Sequence, residues 1–75
     1  MVFFVIEFQT NEGIGAVIPT AFTDRDQAEA AYHTTLASAA VSSVDKHGVM
    51  LCTEDMVVIK QEIYIHIEPV EPVEE

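Results

Sequence analysis

Residues 2–18 read VFFVIEFQTNEGIGAVI, and the fold turns on how this stretch is parsed. From Val2 to Thr10 successive side chains fall on opposite faces of an extended strand: Val2, Phe4, Ile6 and Phe8 on one, Phe3, Val5, Glu7 and Gln9 on the other. The first set is wholly apolar and is expected to face the core. Asn11, Glu12 and Gly13 then supply a three-residue turn ending in a left-handed glycine, which closes a β-hairpin. In that register Thr10 pairs with Ile14, Phe8 with Ala16 and Ile6 with Ile18. Ala16 and Ile18 then join the core face, and Val17 and Pro19 the other. Pro19 cannot donate to a ladder, so this strand is expected at a sheet edge.

Beyond the hairpin, Thr23 followed by Asp24 and Asp26 marks a helix start, a hydroxyl to cap free N–H groups and carboxylates to oppose the positive end of the dipole. The helix is expected from Asp24 to Ser43, with Ala28, Tyr32, Leu36, Ala39 and Ala40 as its apolar stripe. So much alanine requires a close approach to the sheet. A polar break, Asp45 to Gly48, leads to a second hairpin, Val49–Thr53 and Val57–Ile67 around Glu54, Asp55 and Met56. If this turn copies the first, Thr53 pairs with Val57, Leu51 with Ile59 and Val49 with Gln61. Val49, Leu51, Ile59, Ile63 and Ile65 would then face the core, and Met56 would occupy a left-handed position at a cost of about 1 kcal/mol. A two-residue loop of Glu54 and Asp55 would avoid that strain but place Ile59 opposite Met50.

The elements therefore read ββαββ, an α+β fold with one helix on one face of a four-stranded antiparallel sheet. The crossover rule favours strand order 2-1-3-4. Residues 1–67 form the single domain, and the acidic, proline-containing EPVEPVEE at 68–75 reads as a disordered tail.

The chain has 75 residues, 13 acids against three bases, a net charge of -10 and 49% hydrophobic residues. At this length folding buries only roughly 60% of the unfolded surface. Cys52 is the one cysteine, so no intrachain disulfide can help, and self-association is the expected supplement. The face without the helix is expected to carry Phe3, Val5, Val17, Met50, Cys52, Val58 and Tyr64, interspersed with Glu7, Gln9, Lys60, Glu62 and His66. Seven apolar side chains on one face approach the largest patches that monomers leave open, which points to a homodimer packed sheet on sheet. The second half of the last strand, Glu62 to Ile67, has no evident partner in its hairpin and could pair with the first strand, another subunit or a ligand strand.

The negative charge argues against direct nucleic-acid binding, and the N-terminal apolar run is too short to span a membrane and lacks a charged leader, which suits a cytoplasmic protein. His33, His47 and His66 read as surface histidines and Cys52 as a small hydrophobe, with no metal or cofactor implied. Ser42, Ser43, Asp45 and His47 hold the letters of a hydrolase triad but crowd into one helix terminus. Gly13-Ile14-Gly15 sits in a hairpin and is turn chemistry. No catalytic residues are expected, and a non-enzymatic interaction protein is the preferred reading. The alternative is an acidic inhibitor that imitates nucleic acid through Asp24, Asp26, Glu29, Glu54 and Asp55. Against it, the body without the tail carries only -6, which solubility alone explains.

The stretches VIEFQT, DRDQAEAAYH and LASAAVSSVDKHGVMLCTED resemble a family of small acidic proteins of bacterial phages and prophages. The likeness spans most of residues 1–66 and implies the cytoplasm of a bacterial host, with no activity attached. Those proteins commonly have glycine where this chain has Met56.

Overall fold

The structure, a computed structural model, describes residues 1–67; the segment expected to be a disordered tail lies outside the described residues. The elements are β1 (Phe3–Asn11), β2 (Ile14–Phe22), α1 (Arg25–Ala40), β3 (Lys46–Thr53) and β4 (Val58–Ile65). They form one sheet in the order β2-β1-β3-β4, with every neighbouring pair antiparallel. The ββαββ architecture and strand order agree with the expectation from sequence.

Two local features revise which residues face which way. The first hairpin turns on two residues, because Asn11 pairs with Ile14 and both Glu12 (φ 54°) and Gly13 (φ 82°) are left-handed. This is the primed geometry whose twist matches that of the flanking strands. Phe8 therefore pairs with Val17 and Ile6 with Pro19, one residue off the expected register, so Val17 and Pro19 share a face with Phe4, Ile6 and Phe8. In the second hairpin Thr53 does pair with Val57, and Met56 is left-handed (φ 69°), as the three-residue turn requires. The Thr53 hydroxyl accepts from the N–H groups of Asp55 and Val57, which holds the turn. A β-bulge then inserts Ile59, so that Cys52 pairs with Val58 but Leu51 pairs with Lys60 and Val49 with Glu62. Ile63 and Ile65 move to the face opposite the helix, and Lys60, Glu62, Tyr64 and His66 move beneath it. Strand β3 is also longer than expected, so Glu62 to Ile65 pair with Lys46 to Val49 and the half-strand thought partnerless is paired.

The helix begins one residue later than expected. Asp24, not Thr23, is the N-cap, its carboxylate accepting from the Asp26 N–H at 3.1 Å. It ends at Ala40, not Ser43, tightened by bonds from the Val41 and Ser42 N–H groups to the carbonyls of Ser38 and Ala39. The His66 ring, donating from Nε2, adds a 2.8 Å bond to the Ala39 carbonyl. Ala28, Tyr32 and Ala39 are buried, with Ala31 and Leu36 partly so. Beneath them lie Val5, Val49 and Leu51, flanked by Phe3, Phe22 and Ile59. The core therefore uses the odd-numbered face of β1 rather than the wholly apolar even-numbered one. Burial pushes the Tyr32 phenol above its ordinary range, and the Glu62 carboxylate adds to the effect.

Helix and sheet are also joined electrostatically. Glu29 accepts from Lys60 Nζ at 3.0 Å and from Arg25 Nε at 3.1 Å, and these bonds, the first above all, hold its carboxyl below the usual 4.5. A lowered carboxylate pKa contributes stability above the unfolded value that is lost as pH falls through the folded one. Glu29→Gln should accordingly flatten the acid limb of a stability-versus-pH curve below pH 4.5 while leaving its slope near neutrality unchanged. Replacing the strained Met56 by glycine should raise stability by about 1 kcal/mol, seen as a rise in Tm of about 4–8 °C.

Candidate interaction surface

Even-numbered residues of β1 define the face that α1 leaves uncovered. The pairing arranges this open face in four rows across β2, β1, β3 and β4: Gly15, Thr10, Lys46, Ile65; Val17, Phe8, Gly48, Ile63; Pro19, Ile6, Met50, Gln61; and Ala21, Phe4, Cys52, Val58. Of the residues expected here, Val17, Met50, Cys52 and Val58 are present. Phe3, Val5 and Tyr64 are instead on the helix side, where Val5 is a core residue; the use of the odd-numbered side of β1 as core accounts for Phe3 and Val5, and the bulge for Tyr64. Phe4, Ile6, Phe8, Ile63 and Ile65, the last two displaced by the bulge, complete the surface. Val17, Ile63 and Ile65 are each more than half exposed, and Phe8 is 37% exposed.

Gly48 shapes the centre of the face. Between Phe8 and Ile63 its missing side chain leaves a groove of about 500 Å³, lined also by Gln61. A Cβ here would come within 3.1 Å of the Glu62 carbonyl and 3.4 Å of the Ile63 side chain. The position thus serves close strand packing as well as the notch. On the other side of the sheet Ile14 and Ala16, with Gln9, Asn11 and Val44, line a second groove of about 310 Å³ beyond the reach of the helix.

The histidines divide differently from the sequence reading. His33 is exposed, but His47 is only 5% exposed and sits at the end of the core. Its Nε2 lies 2.5 Å from Glu7 Oε2 and its Nδ1 2.9 Å from Ser42 Oγ; Gln9 also donates to the Glu7 carboxylate at 2.9 Å. With Nε2–H donating to Glu7, Nδ1 accepts from the Ser42 hydroxyl, or donates to it in the imidazolium form. Serine, histidine and a carboxylate do fall in a line, through Glu7 rather than Asp45. The attachment is inverted relative to a hydrolase triad, where serine meets Nε2 and the carboxylate Nδ1, and the imidazole is enclosed. What the arrangement does is tie the helix C-terminus to β1 and β3. The signal was available in Glu7, a lone acid in an apolar strand, but only the sheet pairing placed it within reach of His47.

The five acids considered as phosphate imitators gather at one end of the sheet, because the end of β2, which leads into Asp24, and the end of β3, which leads into Glu54, flank the start of β1. Three are already engaged: Asp24 caps the helix, Glu29 holds Arg25 and Lys60, and the Glu54 carboxylate accepts from the Val2 N–H. The opposite end is locked by Asp45, whose carboxylate accepts from the Glu12 N–H while its own N–H donates to Asn11.

No family model, curated protein or solved structure matches the chain. Among the described residues no helix is long and apolar enough to cross a membrane, and no three His, Cys, Asp or Glu side chains are grouped to hold a metal ion.

Removing the imidazole should reveal the tether. His47→Ala is expected to cost about 2 kcal/mol in urea unfolding, through an enclosed void and the loss of one of the two bonds to the Glu7 carboxylate. His33→Ala, on the exposed helix surface, should change stability by less than about 0.5 kcal/mol.

Proposed function

We propose that the protein is a non-enzymatic interaction module that forms homodimers through the open face of its sheet. One observation carries this reading: in so acidic a chain, no carboxylate among the described residues lies on that face. Glu7 and Glu62 point beneath the helix, Glu12, Glu54 and Asp55 occupy turns, Asp24, Asp26 and Glu29 belong to the helix start, and Asp45 bonds the first turn. Among the described residues the one charge on the open face is Lys46, in the end row with Gly15, Thr10 and Ile65. A surface kept free of like charge is where two strongly negative bodies can approach, and its apolar side chains supply the attraction.

The dimensions suit a second copy. Eight-residue strands span about 26 Å and four strands about 19 Å, so two such faces cover about 1,000 Å² in total, the lower bound for a specific interface. The resemblance to small phage and prophage proteins supplies a setting, the host cytoplasm, and no activity. The acids at the opposite end support a second reading, an inhibitor that imitates nucleic acid in a basic groove. The two differ in their response to salt.

Sedimentation at micromolar concentrations should show a dimer that tightens as salt screens the net charge of the two subunits. Phe8→Asp, at a side chain already partly exposed, should yield a folded monomer. A wild-type protein that stays monomeric, or a Phe8→Asp variant that sediments as wild type does, contradicts the proposal. Capture of a nucleic-acid-binding protein that weakens steeply with salt would favour the second reading.

A further inference from the structure

Self-association through the open face leaves the relative placement of the copies undefined; that placement is written in the sizes of the side chains. In the row Val17, Phe8, Gly48, Ile63, the largest side chain stands beside the empty position, about 4.8 Å away on the adjoining strand. A knob next to its own notch is self-complementary under a two-fold rotation, since each copy then fills the other's gap. We infer that the second copy packs about a two-fold axis lying between the sheets, along the strands and above the boundary of β1 and β3, with Phe8 of each subunit seated over Gly48 of the other. This rests on the open face being the dimer surface.

Three observations converge on that axis. Because the sheet order is β2-β1-β3-β4, the boundary of β1 and β3 is the midline of the sheet, so the rotation lays β1 over β3 and β2 over β4 with no strand left uncovered. The same rotation reverses each row, and large again meets small: Phe4 over Cys52, Val58 over Ala21, Ile65 over Gly15. Ile6 against Met50, near the centre, and Val17 against Ile63, toward the edges, match side chains of similar bulk. Finally, Lys46 meets Thr10 in the end row, where its ammonium can reach water, so no charge is stranded inside. The twist of the sheets makes these matches closest along the midline and looser at the corners.

Edge-to-edge association through β4 is the competing arrangement. The outward backbone groups of Gln61, Ile63 and Ile65 have no proline among them, whereas Pro19 places its missing N–H on the outer edge of β2. The two arrangements bring different residues together. Under the midline axis, Val17 of one subunit faces Ile63 of the other, while Ile63 lies far from its own copy. Edge pairing brings the two Ile63 positions together.

Single and double cysteine variants decide the matter. In a Cys52→Ala background, Val17→Cys with Ile63→Cys should give a covalent dimer with a short bis-maleimide, and neither single variant should. Phe8→Ala should weaken self-association at least about tenfold, and Ile14→Ala, on the helix side of β2, should leave it unchanged. Folding of each variant is checked by circular dichroism. Efficient cross-linking of the Ile63→Cys variant to itself, or a sedimenting dimer whose double variant does not cross-link, overturns the midline axis while self-association stands. A monomer at every concentration overturns both.

Discussion

The fully buried methyl groups of Ala28 and Ala39 set how near α1 can come to the sheet, and much of the molecule follows from that distance. An alanine-lined helix can cover only a low surface. Val5, Val49 and Leu51 provide one, with Tyr32 as the one large side chain among the buried residues of the helix. The even-numbered face of β1, with Phe4 and Phe8 beside Met50, is too tall for such an approach. The more apolar side of the strand is therefore the side left uncovered, which inverts the usual inference from alternation alone.

Polar chemistry is sorted by the same choice. The helix side of the sheet carries Glu7, Gln9, His47, Lys60 and His66, and the helix with its following loop provides partners for them in Ser42, Glu29 and the Ala39 carbonyl. Each bond satisfies a group that the contact would otherwise desolvate at a cost. The open side asks for almost no hydrogen bonds and offers shape instead. A partner that buries it needs apolar bulk where Gly48, Cys52, Ala21 and Gly15 are low, and this chain has that bulk in the mirrored positions.

The face that β1 turns to the core and the bulge in β4 decided how far the surface could be read in advance. Val17, Met50, Cys52 and Val58 were legible as open-face residues, while Phe3, Val5 and Tyr64 were assigned to the wrong side and Phe4, Ile6, Phe8, Ile63 and Ile65 were missed. With β2 shifted by one residue in the two-residue turn, Val17 stayed on the open face while β1, assigned to the core by its wholly apolar side, is reversed, because side chains alternate with a period of two. The bulge at Ile59 had the same effect on β4. Nothing in the neighbouring residues announces it; its benefit appears only in three dimensions, where Ile59 packs on the core and Lys60 reaches Glu29 across the layer.

Composition and spacing by themselves determined the number and kind of elements, their antiparallel order, the alanine stripe and the strained turn at Met56, because these depend on contacts close along the chain or on general rules of chain connection. The tertiary structure alone decided which face is core, that His47 is an enclosed tether rather than a surface histidine, and that no described acid lies on the open face. Those properties depend on register across strands and on the height of side chains beneath a helix. Both are settled by packing between segments distant in sequence, where a shift of one residue changes every contact while leaving local propensities unaltered.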